Sequence, residues 1–250
     1  MNQVHVINNF SKVYPDMIKV YIYKEPHYFI KSDNIKRPKE IVDDNIYVPS
    51  ISSLSRTKSL IRDIVLCNDF ELFCTFTFDP KLVNSFILGR CWLKMSTWLH
   101  HQRDKSREKG KEFKYLIIPE QHKSGRWHFH ALISGYTGTL RESKVVTNTK
   151  RPIYNITSFR SGFTTAVPID SKESVSSYVT KYITKDFVKR FNQRRFFCSR
   201  NLTRPTRQTN SNLLNHVLPL FRNRVFENNE LIEYSIDIND LMCDTRSSTF

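Results

Sequence analysis

The stretch from Tyr115 to Ser134 constrains the fold of this chain more than any other. Tyr115-Leu116-Ile117-Ile118-Pro119-Glu120 is an apolar run of strand length. Gln121–Arg126 holds Ser124-Gly125 and reads as a turn, and Trp127–Ser134 is a second apolar run. Two such runs around a glycine-containing turn predict a β-hairpin. Within the second strand stands His128-Phe129-His130. Strand side chains alternate between faces, so both imidazoles point one way while Phe129 and Ala131 point the other. Paired neutral imidazoles suit a divalent metal better than a packed core.

The surrounding sequence supplies more elements. Leu72–Phe78 (Leu-Phe-Cys-Thr-Phe-Thr-Phe) has the aromatic and β-branched character of a strand, closed by Asp79-Pro80. Phe86 to Lys109 has helical periodicity in Phe86, Ile87, Trp92, Leu93, Met95 and Leu99, and Gly110 marks its end. Ile153–Ile156 and Thr164–Val167 are weaker strands. Asp170-x-x-Glu173 resembles a capping box opening a helix that runs to about Arg190. Nearer the N-terminus, 19–23 and 28–30 are short strands, joined as a hairpin across Lys24-Glu25-Pro26. Asp33–Ser59 reads as a linker with one short helix. Late in the chain Ile232, Tyr234, Ile236 and Ile238 alternate with polar residues, as in a half-buried strand. The resulting division is an N-terminal extension (1–60), a main domain (61–205) and a C-terminal extension (206–250) that is acidic at its end.

Composition narrows the partners. A formal net charge of +15 over 250 residues favours a polyanion, nucleic acid above all. No apolar run approaches the ~18–20 residues that span a bilayer. Five cysteines without a Cys-x-x-Cys pair give neither a disulfide framework nor a cysteine zinc site, so a reducing cytoplasm fits. With six glycines and no Gly-x4-Gly-Lys-Ser/Thr stretch, a P-loop ATPase or fused helicase is not expected.

Two constellations carry chemistry. Glu120 precedes the turn and returns beside the His-x-His strand, giving His128, His130 and Glu120 as metal ligands, with His122 a competing third. Three protein ligands leave room for water and substrate, as Lewis-acid catalysis requires. The second lies in Tyr178-Val179-Thr180-Lys181-Tyr182-Ile183-Thr184-Lys185-Asp186. On a helix Tyr178 and Tyr182 share a face beside the apolar stripe of Val175, Val179 and Ile183, with Lys181, Lys185 and Lys189 beyond them. An amphipathic helix with boundary tyrosines would look the same. The functional alternative is nucleophilic attack by a phenol whose ionisation nearby lysines favour.

In this order, these blocks resemble the HUH endonuclease superfamily, particularly rolling-circle replication initiators of the group that includes the gene II-type proteins of filamentous phages. The resemblance spans residues 70–205. It implies an α+β fold, a central antiparallel sheet with flanking helices in the RRM-like, ferredoxin-like architecture. It also implies metal-dependent nicking and joining of single-stranded origin DNA through a covalent 5′-phosphotyrosine. Carried over to this chain, it makes His128, His130 and Glu120 the ligands of Mg²⁺ or Mn²⁺. Tyr178, Tyr182 or both are nucleophiles, and Lys181 and Lys185 position the phosphate. The expected partners are single-stranded origin DNA, a separate helicase and a host polymerase, in the cytoplasm of a bacterial host and without membrane attachment.

Other readings use the same residues differently. A transposase or relaxase of the superfamily keeps the chemistry on another DNA substrate. A zinc hydrolase would use Glu120, His128 and His130 without needing the tyrosines. A non-catalytic basic protein could bind single strands by stacking bases on Phe73, Phe76, Phe78 or Trp127, although core packing suits those rings better.

Overall fold

The computed structural model describes residues 4–30, 51–183, 194–209, 224–227 and 231–238. It divides into two units, residues 43–203 and a second unit made of 1–42 with 204–250. The two extensions expected at the chain ends therefore build one unit together.

In residues 43–203, the elements run α1 (Ile51–Leu66), β3 (Leu72–Phe78), α2 (Leu88–Glu108), β4 (Lys114–Gln121), β5 (Trp127–Ser134), β6 (Leu140–Val146), β7 (Pro152–Ile156), β8 (Gly162–Pro168), α3 (Lys172–Val179) and β9 (Phe197–Cys198). The strands form a seven-stranded sheet ordered β6-β7-β8-β3-β5-β4-β9, antiparallel at every pairing. The expected α+β class, a central antiparallel sheet with flanking helices, is what forms. The inner order β8-β3-β5-β4 is that of a ferredoxin-like sheet. One crossover carries helix α2, between β3 and β4. The other, from β5 to β8, carries the β6–β7 hairpin, which widens the sheet instead of covering it.

Alternation in β3 sends Leu72, Cys74, Phe76 and Phe78 to one face, where they pack with Phe129 and Ala131 of β5 and with Cys91, Met95, Trp98 and Leu99 of α2. Their burial makes Phe76, Phe78 and Trp127 core residues rather than base-stacking surfaces. The opposite face carries Leu116, Ile118 and Leu132, covered by Leu54, Ile61 and Ile64 of α1 and by Val179 and Ile183 at and after the end of α3. Arg195 fixes α1 by donating to the Ser53 carbonyl and to the hydroxyls of Ser53 and Thr57. It is thus one residue of the basic tail with a structural task.

The other unit contains β1 (Val4–Val13), β2 (Met17–Ile30), β10 (Thr206–Thr209), β11 (Arg224–Glu227) and β12 (Leu231–Asp237), in the order β10-β1-β2-β12-β11. The alternating segment expected near the C-terminus is β12, and Ile236 packs with Ile18 and Val20. The hairpin expected across Lys24-Glu25-Pro26 is instead a continuation of β2. Its pairing with β1 shifts between Ile7 and Asn9, and β12 pairs only with residues 17–23. Pro26 thus lies beyond β12, at a bulge on an edge, where its missing N–H costs no ladder bond. Among the described residues no helix is long and apolar enough to cross a membrane.

Candidate active site

Four strands bring the site residues into one row. Phe163 of β8 lies opposite Thr77 of β3, Thr77 opposite His128 of β5, and His128 opposite Glu120 of β4. Two residues further along, Thr165, Thr75, His130 and Ile118 form the next row on the same face. The expected hairpin supplies two members of each row. Its turn is tight, with His122 N–H donating to the Arg126 carbonyl and Gly125 at φ 81°, a conformation glycine adopts without strain.

Each histidine is held from β3. Thr75 Oγ1 lies 3.2 Å from His130 Nδ1, and Thr77 Oγ1 lies 3.1 Å from His128 Nδ1. His130 Nε2 is 2.7 Å from Glu120 Oε2. A carboxylate only accepts, so Nε2–H donates to Glu120 and the Thr75 hydroxyl donates to Nδ1. Burial pushes both imidazoles below the ordinary histidine range. The nearby His122 adds to this at His128, and Glu120 opposes it at both. Both rings are therefore kept neutral, the form that ligates a metal.

The tyrosines arrive from the other side. The Tyr182 ring stacks on the His130 ring with centroids 3.5 Å apart and planes 17° apart. Its hydroxyl donates to Tyr178 Oη at 2.9 Å. Tyr178 lies edge-on to Phe73 at 5.3 Å, and Lys181 Nζ is 5.1 Å from the centre of its ring. Tyr178 is 44% exposed. Burial, then the hydrogen bond with Tyr178 and the charge of Glu120, raise the Tyr182 phenol well above its usual range.

The helix that carries them is shorter than expected. It is capped by Ser171, which accepts from Ser174 N–H, rather than by Asp170, which pairs with Arg151. It ends at Val179 and continues as one 3₁₀ turn, Thr180–Tyr182. Lys185, Lys189 and the expected helix end near Arg190 lie outside the described residues.

Residues 71–187 match the family model described as replication-associated protein ORF2/gene II protein. No curated protein and no solved structure matches the chain. The matched segment begins just before β3 and passes the tyrosine pair, so it holds the whole constellation. Similarity to replication-associated proteins supports a part in the initiation of DNA replication, and hence an interaction with DNA.

The donor set of two neutral imidazoles and a carboxylate suits a divalent cation in kind. Glu120 and His130 are bonded to each other, however, and among the described residues no three His, Cys, Asp or Glu side chains are arranged around a common centre. His122 is exposed in the turn, its Nδ1 3.3 Å from Ser124 Oγ and its ring 5.6 Å from that of His128. Glu120, not His122, is therefore the residue hydrogen-bonded to the histidine pair.

Sequence reasoning missed Thr75 and Thr77 as holders of the histidines. The signal was present: both lie on the polar face of an otherwise apolar strand. It also missed Phe163, treated below.

Proposed function

We propose that the chain initiates rolling-circle replication by nicking and rejoining single-stranded origin DNA through a 5′-phosphotyrosine. The observation that carries the reading is the stacking of Tyr182 on His130. It brings the hydroxyl pair Tyr178–Tyr182 against the His–Glu cluster, though three strands separate them in sequence.

Tyr178 is the better placed of the two to attack. It is the more exposed, its oxygen accepts a hydrogen bond from Tyr182, and Lys181 stands over its ring. A hydrogen bond into the phenol oxygen and a neighbouring cation both favour its phenolate. Tyr178 loses its proton and its oxygen bonds to phosphorus. The bond from phosphorus to the 3′-oxygen breaks, and that oxygen leaves with a proton as a free hydroxyl. The phosphodiester energy is kept in the tyrosyl ester, so rejoining needs no nucleotide cofactor. Tyr182 donates toward Tyr178 during the first attack. In a two-nucleophile cycle it is the acceptor for the regenerated origin.

His128, His130 and Glu120 would hold Mg²⁺ or Mn²⁺, which when bound polarises a phosphoryl oxygen and offsets the charge building there. Thr75 and Thr77 can serve both states of the site, because a hydroxyl donates to Nδ1 or accepts from Nδ1–H as the imidazole requires. Lys181 and Lys185 steady the scissile phosphate. A separate helicase and host polymerase, in a bacterial cytoplasm, would complete the cycle.

The test is cleavage of labelled single-stranded DNA, hairpins included, with Mn²⁺ or with a chelator. The wild-type chain is expected to cut and to retain label after denaturation. His130→Ala and Tyr178→Phe are each expected to lose about a hundredfold or more in rate. Cleavage that survives Tyr178→Phe together with Tyr182→Phe contradicts the phosphotyrosine route.

A further inference from the structure

Phe163 is 75% exposed, the most exposed large hydrophobic side chain among the described residues. It is also not at a random place. It stands on the face that carries both histidines, in the same cross-strand row as Thr77, His128 and Glu120. Strands lie roughly 4.8 Å apart, so β8 is about 10 Å from β5. Its neighbour on this face, Thr165, is exposed too, so among the described residues nothing closes over the ring.

Placing an aromatic here comes at the expense of local pattern. In β8 the small residues Thr164 and Ala166 face the core while Phe163 faces out. The strand is seated tightly. A Cβ on Gly162 would lie 2.0 Å from the Thr77 carbonyl oxygen, so Gly162 lets β8 start hard against the end of β3. Asp79 N–H donates to the Ser161 carbonyl at 3.0 Å and ties the two ends together. Phe163 is thus an exposed ring on a rigid mount.

The same end of the sheet is rimmed with exposed cations. Lys81 follows β3, Arg160 precedes β8, and Lys123 and Arg126 lie in the β4–β5 turn. An exposed aromatic ring on a sheet face, bordered by cations and beside a proposed phosphoryl-transfer centre, has the ingredients of a single-strand site: a flat surface for a base and positive charge for its backbone.

We infer that Phe163 is a stacking platform for a base of the single-stranded DNA close to the scissile phosphate, positioning the strand across β3 and β5. The inference rests on the proposed nicking reaction for the identity of the strand. It assigns Phe163 a positioning role and no part in bond making.

The experiment measures binding of the full chain to a labelled oligothymidylate, with chelator present, for the wild type and for Phe163→Ala, Phe163→Leu and Phe163→Tyr. Thermal unfolding is followed in parallel, and so exposed a side chain should leave it unchanged. Stacking predicts that Ala and Leu each weaken binding by roughly tenfold or more, within the range known for single base–aromatic contacts, while Tyr stays close to the wild type. A 2-aminopurine in the oligonucleotide should be quenched by the wild type and by Phe163→Tyr, and released by Phe163→Leu.

Unchanged binding in both Ala and Leu overturns the inference, as does full binding by Leu alone, since that would make the contact merely apolar. A self-associated wild type that dissociates on Phe163→Ala with no change in DNA affinity also overturns it, assigning the ring to a second copy of the chain. The two levels remain separable. A wild type that makes no covalent adduct with any single strand defeats the proposed reaction. Normal adducts together with unaltered Phe163 variants defeat only the platform.

Discussion

At His130, contacts from two neighbouring strands and the tyrosine turn meet: Thr75 on Nδ1, Glu120 on Nε2, Tyr182 across the ring face and Phe73 parallel to it at 6.0 Å. A ring so bounded has one orientation, and each boundary can be removed separately. Thr75→Val keeps shape and loses the hydroxyl. It is expected to weaken Mn²⁺ binding about tenfold to a hundredfold, the usual penalty for losing the partner of a ligating histidine, while Thr75→Ser restores most of it. Titration calorimetry with MnCl₂ checks this. Equal affinity in Thr75→Val would remove the threonine from the site. Tyr182→Phe removes the donor to Tyr178 but keeps the stacked ring. It should slow strand cleavage roughly tenfold, as the loss of one hydrogen bond to a developing charge does, with DNA affinity unaltered in a binding assay.

At the scale of elements, the parts legible in sequence are those with a local signature. β3, β4, β5 and α2 were recognisable from alternation, an apolar run or helical spacing, and β5 begins and ends where the pattern does. Even in α2 the pattern misleads at its start, because Phe86 and Ile87 precede the helix and are exposed. α1 was harder to see. Its buried Leu54, Ile61, Ile64 and Val65 are spaced for a helix, but serine, threonine and basic residues crowd the first turns and mimic a linker. The His–Glu pairing followed from the hairpin, since strand register alone sets Glu120 opposite His128. Phe163 could not be found in this way. Periodicity says which residues share a face of β8, and the hydrophobic rule then buries the larger residue, the reverse of what the fold does. Arg195 shows how a basic run divides between tasks. Arg195→Ala should destabilise residues 43–203 by about 1–3 kcal/mol, the cost of orphaning buried hydrogen-bond partners, as read by denaturant unfolding. Lys123→Ala, at an exposed turn, should not.

For the whole molecule, the pairing of chain ends is the feature no local pattern could disclose. β10 and β12 join β1 and β2 across nearly the full length of the sequence. A chain ending at Thr203 is therefore expected to lose hydrogen-exchange protection in β1 and β2 while the seven-stranded sheet keeps its own. The net charge of +15 acts at this scale too. Single-strand affinity should fall steeply with salt, and each Lys or Arg contact removed should reduce the slope by about 0.7. Charge and sheet would serve any single-strand binder, whereas the covalent step is specific to the tyrosines. The most direct measurement is peptide mass analysis of the chain after reaction with single-stranded DNA and Mn²⁺, denaturation and nuclease trimming. The account predicts a nucleotide phosphate attached to Tyr178, with attachment moving to Tyr182 only when both serve in turn. Cleavage without any tyrosine-linked nucleotide, or attachment at a residue other than these two, would contradict it.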